Sequence, residues 1–433
     1  MTDTGLAARR AALAALQAVD EDGAWSNLAV PEAISTLPSG RDRAFAAHLA
    51  YDTIRWDGTL RWALGQVLSR PFDDIEPAIR RVLLMGAVQV LKMQVPARAA
   101  VATSATLAGE QVPGSRAKGA RGFVNGVLRA LTRTTLPYPE VASSPVQALS
   151  LSTGHPQWVV VELLARFDAT RAEEILHADN TPPGLTLRAL SGRDELIDEL
   201  VRAGVDASAG ALDESVRAPG ADPRQLDAVS AGRAVPQDEA SMRVVRAAAV
   251  AEGARVLDLC AGPGGKSTHL ATLAGSSGSV TAVELHRHRA RLVREAAARQ
   301  GLDIEVLVGD ATDPPVTGKF DTVLLDAPCT GLGTGRRRPE VRWRRTEADV
   351  ASLAKLQFEL LCAAAARVEV GGSLTYAVCT WTGAETDEVV DRFEASDASA
   401  GLVATERFQL WPDVDDTDGM FVATWRLNPA DAS

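Results

Sequence analysis

From Ala231 onward the chain alternates short apolar runs with longer amphipathic stretches, and no other feature constrains its fold as tightly. Runs at 255–259, 279–283, 304–308, 322–325 and 373–378 have the length and composition of strands. Between them, 266–273, 286–299 and 347–368 repeat apolar residues every three or four positions, which is the period of a helix. Strand–helix alternation implies a doubly wound α/β sheet, here with an antiparallel strand expected near 420–425. Each run also closes on a reactive or charged side chain: Asp258, Glu284, Asp310, Asp326 and Cys379. Ligands of open α/β sheets bind in the crevice beyond the carboxyl ends of the strands. Five such residues in register therefore point to one site.

The first 134 residues follow a different rule. Helical spacing recurs over 6–19, 42–54, 60–68, 75–92, 97–108 and 120–133, separated by breakers at Pro38-Ser39-Gly40, Pro71, Pro96 and Pro113-Gly114. At 433 residues the chain is too long for one core. It reads as an all-α domain over 1–140, a linker with a small α+β subdomain over 141–235, and the α/β domain over 236–433. In the middle part, 158–167, 171–178 and 193–203 look helical and 185–189 looks extended. The Gly-, Ala-, Ser- and Asp-rich 206–224 is expected to form turns and loops.

The net charge of −11 argues against general coating of a polyanion, but the charge is unevenly spread. Residues 1–140 hold more Lys and Arg than Asp and Glu, and 336–345 carries Arg336, Arg337, Arg338, Arg342, Arg344 and Arg345 together with Trp343. A basic, aromatic-containing stretch beside the expected site suggests a phosphate-bearing substrate, so these six arginines are the expected contacts to it. No apolar run is long enough to span a bilayer. The Arg9-Arg10 pair and the Ala/Leu stretch after it meet acidic residues at once and show no cleavage-type site, so a cytoplasmic protein is expected. Cys260, Cys329, Cys362 and Cys379 form no C-x-x-C pair, which gives no sign of a disulfide framework or a metal site.

The turn Asp258-Leu259-Cys260-Ala261-Gly262-Pro263-Gly264-Gly265-Lys266 is glycine-rich at the start of a helix. Such a turn lets backbone N–H groups approach a ligand, although its spacing is neither that of a Walker motif nor G-x-G-x-x-G. Cys260, Ala261, Gly262, Pro263, Gly264, Gly265 and Lys266 are the candidate cofactor contacts. Glu284 is placed to accept the two hydroxyls of a ribose, and Asp310 to meet an adenine amine. Asp326 borders the same crevice. Lys266 is one of only five lysines in the chain. Cys362, on an Ala-rich helix, reads as a core thiol, and Cys260 as part of the turn's packing. Cys329 and Cys379, both at strand ends, read as chemical groups. Two thiols, a carboxylate and a nucleotide-type turn on one sheet suggest covalent catalysis on a base.

Four strings resemble the Nol/Nop/Sun family of RNA cytosine-C5 methyltransferases. They are the Asp258–Lys266 turn, Asp326-Ala327-Pro328-Cys329-Thr330-Gly331-Leu332-Gly333, Arg337-Arg338-Pro339-Glu340-Val341-Arg342-Trp343 and Tyr376-Ala377-Val378-Cys379-Thr380. Gln237-Asp238-Glu239-Ala240-Ser241 resembles the family's lead-in, and Arg121-Gly122-Phe123-Val124-Asn125-Gly126-Val127-Leu128-Arg129 resembles a NusB-like RNA-binding domain. The combination is similar to the bacterial Sun/RsmB-type branch. It implies a multidomain enzyme: an all-α NusB-like domain, then a Rossmann-like methyltransferase domain that uses S-adenosylmethionine on 16S rRNA, working as a monomer without a metal. The resemblance assigns Cys379 as the nucleophile toward C6 of cytosine, Asp326 as a hydrogen-bond partner of the base, and Cys329 as the group that aids release. Val378 stands where the family has threonine, and Thr330 where it has serine. Three other readings stay open on the residues alone. The Pro328-Cys329 pair could make Cys329 the attacker, as in DNA cytosine-C5 enzymes. The chain could be a non-catalytic RNA-binding protein on this fold, or a small-molecule methyltransferase.

Overall fold

A computed structural model describes residues 4–428. It divides into two compact units, one of residues 1–180 with Arg337–Arg344 and one of 181–336 with 345–433. This division differs from the expected one. Residues 141–180 fall in the first unit, and the remainder of the expected 141–235 subdomain falls in the second. The ends of the expected 1–140 and 236–433 spans, at 1–3 and 429–433, lie outside the described residues.

The first unit is helical: α1 (Thr4–Glu21), α2 (Ser26–Ile34), α3 (Gly40–Arg55), α4 (Asp57–Gly65), α5 (Pro77–Leu91), α6 (Ala97–Gln111), α7 (Arg116–Leu131), α8 (Pro145–Thr153), α9 (Gln157–Leu164) and α10 (Ala169–Asp179). The helix starts have local causes. The Ser39 side chain accepts from the Asp42 N–H ahead of α3, and Asp168 does the same for Arg171 ahead of α10. Pro77 occupies the first turn of α5, where its missing N–H costs nothing. Apolar stripes such as Val124, Val127, Leu128 and Leu131 of α7 close on one core with Leu49, Leu60, Leu83 and Val88.

The second unit begins with β1 (Leu185–Ala189), α11 (Arg193–Arg202), β2 (Ser208–Ala209), β3 (Ser215–Ala218), α12 (Asp227–Ser230) and β4 (Ala234–Pro236). These strands pair antiparallel in the order β2-β3-β1-β4. The segment 206–224, expected as loop, thus contains two strands. Val216 is fully buried against Leu187 and Leu200, so pairing and packing override a loop-like composition.

The chain continues through α13 (Glu239–Ala247), β5 (Arg255–Leu259), α14 (Gly265–Ala274), β6 (Ser279–Glu284), α15 (Arg287–Arg299), β7 (Glu305–Val308) and β8 (Phe320–Asp326). After the short α16 (Val341–Arg344) come α17 (Glu347–Ala365), β9 (Val368–Val378), α18 (Asp387–Glu394), β10 (Leu402–Leu410), α19 (Pro412–Asp415) and β11 (Met420–Leu427). The sheet order is β10-β11-β9-β8-β5-β6-β7. Strands β5 to β9 run parallel, while β11 is antiparallel to both β9 and β10. Alternate side chains leave opposite faces. Leu257, Leu259, Val323 and Leu325 pack with Leu361 and Phe393 of α17 and α18 on one face. Val256, Leu324 and Val280 pack with Val245 and Leu270 of α13 and α14 on the other. Both faces are covered, as a doubly wound sheet requires. The strand order reverses at β5, flanked by β8 and β6, and there the crevice opens.

Candidate active site

The turn after β5 is shaped by close approaches. A Cβ on Gly262 would lie 2.6 Å from the Glu284 carboxylate, and one on Gly264, at φ +107, would lie 2.9 Å from Cα of Val293. Neither position tolerates a side chain. Cys260 itself holds φ +64, an uncommon conformation for a residue with a Cβ. At Gly265 nothing stands within 4 Å of a Cβ position, so the N-terminus of α14 faces open space.

Carboxylates gather around this turn. Glu284, at the end of β6, is buried; it accepts the Gly262 N–H at 3.0 Å and the His286 N–H at 3.0 Å. Asp258 lies within β5 rather than at its tip, is fully buried, and accepts the Ser267 hydroxyl at 2.6 Å. Burial raises its carboxyl to about 7, and its second oxygen takes no hydrogen bond among the described residues. Asp310 is exposed, two residues past β7, and is held below the usual carboxylate range by the backbone N–H and hydroxyl of Thr312. Burial, then the charges of Asp326, Glu284 and Asp258, lift Cys260 far above an ordinary thiol, so it stays neutral. An acidic surround of this kind suits a positively charged ligand carrying a ribose. The turn, Glu284 and Asp310 therefore fit a sulfonium nucleoside.

Asp326 ends β8 and accepts Lys266 Nζ at 2.7 Å. Burial opposes the lysine's charge, but the Asp326 carboxylate outweighs it and holds the ammonium above its ordinary value. Three residues on, Cys329 meets Cys379 with Sγ–Sγ 3.3 Å. Their backbones are pinned: Ala327 N–H donates to Ala377 O at 2.9 Å, and Gly333 N–H to Cys379 O at 3.0 Å. The Cys379 contact, burial and the charges of Glu385 and Asp326 push Cys329 well above an ordinary thiol, and either sulfur can donate in the pair. Cys362 packs from α17 against the core.

The arginines depart from expectation. Arg336 is buried and donates to the carbonyls of Thr181 and Thr417 and to Asp416. Arg342 is buried in the first unit against Asp179, Asn180 and the Gly154 carbonyl. Neither can present its guanidinium to a phosphate without abandoning desolvated partners. Arg344 bonds the carbonyls of Val19, Gly23 and Ala24, and Arg345 those of Thr330 and Cys329. Arg337 and Arg338 remain half-buried, the latter over the Trp25 ring. The six therefore do not form one basic patch.

Sequence reasoning missed Glu385, a fully buried carboxylate six residues after Cys379, and its partner Gln357 on α17. An acidic residue in a Thr-rich stretch was a signal, but the contact between strand ends gives it meaning. Among the described residues no group of His, Cys, Asp and Glu could hold a metal ion, and no helix is long and apolar enough to cross a membrane.

The doubly wound sheet, the turn and the carboxylate ring define a methyltransferase that uses S-adenosylmethionine. Comparison with known proteins agrees. Residues 245–426 match the family model of 16S rRNA methyltransferase RsmB/F, and residues 6–133 match the NusB family. A Mycobacterium tuberculosis protein with a provisional methyltransferase name is 39% identical over 97% of this chain and 96% of its own length. Ribosomal RNA small subunit methyltransferase B of Vibrio vulnificus is 32% identical over 96% of this chain and 98% of its own. The crystal structure of PH0851 shares the fold, with a TM-score of 0.84 at 22% identity over 98% of this chain and 99% of that one. NSun6 from Pyrococcus horikoshii, solved with SFG, shares it at a TM-score of 0.58 and 21% identity over 63% of this chain and 98% of that one. The chain belongs to the RsmB-type 16S rRNA methyltransferases.

Proposed function

We propose that this protein methylates C5 of a cytosine in 16S rRNA through a covalent bond from Cys379 to ring carbon C6. The observation that carries the reading is the thiol pair at the carboxyl ends of β8 and β9, with Sγ–Sγ 3.3 Å. Cytosine C5 is too weak a nucleophile to take a methyl group unaided. A thiolate adding to C6 makes the ring an enamine with a nucleophilic C5.

The bound S-adenosylmethionine supplies an electrophilic methyl group. This chain's residues do the rest. Gly262, Gly264 and Gly265 keep the turn clear of side chains, and Glu284 and Asp310 would hold the nucleoside. Asp326, steadied by Lys266, accepts a hydrogen bond from the base at N3/N4 and so favours the ring protonated at N3, which offsets the charge that thiolate addition brings. Cys379 gives up its thiol proton to solvent and forms the Sγ–C6 bond, and the electron pair of C5=C6 would form the new C5–CH3 bond as the methyl–sulfonium bond breaks and S-adenosylhomocysteine leaves as a neutral thioether. Cys329 Sγ takes the C5 proton as its own S–H proton passes to solvent, the C5–H electron pair re-forms C5=C6, and the Sγ–C6 bond breaks with Cys379 leaving as thiolate.

Separate Cys379→Ala and Cys329→Ala enzymes test the assignment. Turnover of the first should fall by ~10⁴-fold or more, with no RNA–protein adduct, while the second should accumulate adduct. An adduct with Cys379→Ala and none with Cys329→Ala would reverse the roles. Bisulfite sequencing of rRNA from a deletion strain should lose one protected cytosine; no such loss sinks the C5 reading.

A further inference from the structure

Glu385 closes a short turn after β9 and is completely buried. Its Oε1 accepts the backbone N–H of Thr330 at 2.8 Å and Gln357 Nε2 at 3.0 Å. Its Oε2 accepts the hydroxyls of Thr330 at 2.6 Å, Thr382 at 2.8 Å and Thr380 at 3.3 Å. Thr330 and Thr380 also meet each other, with their hydroxyls 2.8 Å apart. Gln357 reaches past the carboxylate to the Pro328 carbonyl at 2.9 Å, and the Tyr376 hydroxyl donates to the Glu385 carbonyl at 2.8 Å. No Lys or Arg pairs with Glu385 among the described residues. Its charge is met by hydroxyl, amide and backbone donors alone.

The pattern is specific. Cys329 is bracketed by Pro328 and Thr330, both tied to this carboxylate or its glutamine partner. Cys379 is followed by Thr380, tied to the same carboxylate. Each thiol thus sits one residue from a group bonded to Glu385, on the two loops that follow β8 and β9.

We infer that Glu385 is the positioning residue that fixes the spacing and orientation of Cys329 and Cys379. It touches neither base nor methyl donor and acts through the two loops. Removing it leaves the Thr330 N–H and three hydroxyls without their shared acceptor, and the loops lose their common anchor. The inference builds on the proposed chemistry, and its test is chosen to stand apart from it.

Glu385→Ala and Glu385→Gln are made in the full chain. A glutamine can keep Oε1 toward Thr330 N–H and turn its amide toward rotatable hydroxyls, so it should preserve most of the anchor. With Glu385→Ala, iodoacetamide alkylation of Cys329, followed by mass spectrometry without RNA or methyl donor, should quicken by about tenfold. Turnover on 16S rRNA should fall by about 30-fold or more, while KM for RNA and the affinity for S-adenosylhomocysteine stay within about threefold. Glu385→Gln should stay within about fivefold of the parent in each measure. A folded Glu385→Ala enzyme whose alkylation and turnover stay within twofold of the parent overturns the inference. So does a turnover loss that merely follows the folded fraction. The alkylation result needs no methylation, so failure of the C5 reading leaves it interpretable.

Discussion

The carboxyl edge of the seven-stranded sheet and the arginine-rich residues 336–345 are both dense in charge, and they treat that charge in opposite ways. At the sheet edge, Asp326, Lys266, Glu284 and the two thiols are drawn together by parallel strands whose ends share one register. In the arginine stretch the side chains scatter. Arg336 and Arg345 bond within the second unit, and Arg342 and Arg344 within the first. Neighbours in a loop share sequence but not direction, whereas strand ends share direction without being neighbours. Charge density in a loop is therefore weak evidence for a surface.

This contrast can be broken experimentally. The largest effect should come from Arg342→Ala. It leaves Asp179 buried without its guanidinium, and the loss of one partner from such a pair costs about 3–5 kcal/mol. Denaturant unfolding would read it, and a change no larger than that of an exposed arginine would restore the surface reading.

A second, smaller effect concerns His155, which is buried beside Asp179 and Thr153. Burial, then the Arg342 charge, lowers it from 6.5 to about 4. The unfolded chain takes up a proton below 6.5 that the folded chain refuses until about 4, so stability is full above that window and is lost as pH falls through it. The loss should be on the order of 3 kcal/mol, and His155→Gln should flatten it. A parent protein equally stable at both ends of the window would contradict this burial.

Arg338→Ala should do least. The side chain is half-buried over Trp25, and stability should move by less than about 0.5 kcal/mol. The salt dependence of rRNA binding should stay unchanged; a slope shallower by about one would return Arg338 to the phosphate contacts.

Much of this was legible in the residues. The strands at 255–259, 279–283 and 322–325 lie where periodicity puts them, and so does the antiparallel partner near 420–425. Runs buried on both faces are continuously apolar, and their shortness and flanking turns mark them as strands. Less legible were β2 and β3, whose short runs gain their state from pairing, and α8 to α10, whose membership of the first unit is a matter of contacts. Within the site, Cys329 and Cys379 stood out by position, but their 3.3 Å contact and the shared Glu385 anchor join residues about fifty positions apart.

The sequence alone settled the alternation of strand and helix, the order in which polar residues reach the strand ends, and the glycines that a close turn demands. These follow from local rules, because period, propensity and the absence of a Cβ act within a few residues. Tertiary structure alone decided that the two thiols meet, which carboxylate anchors both loops, and which arginines are lost to the interior. Those outcomes depend on desolvation and on partners distant in the chain, and no local pattern encodes either.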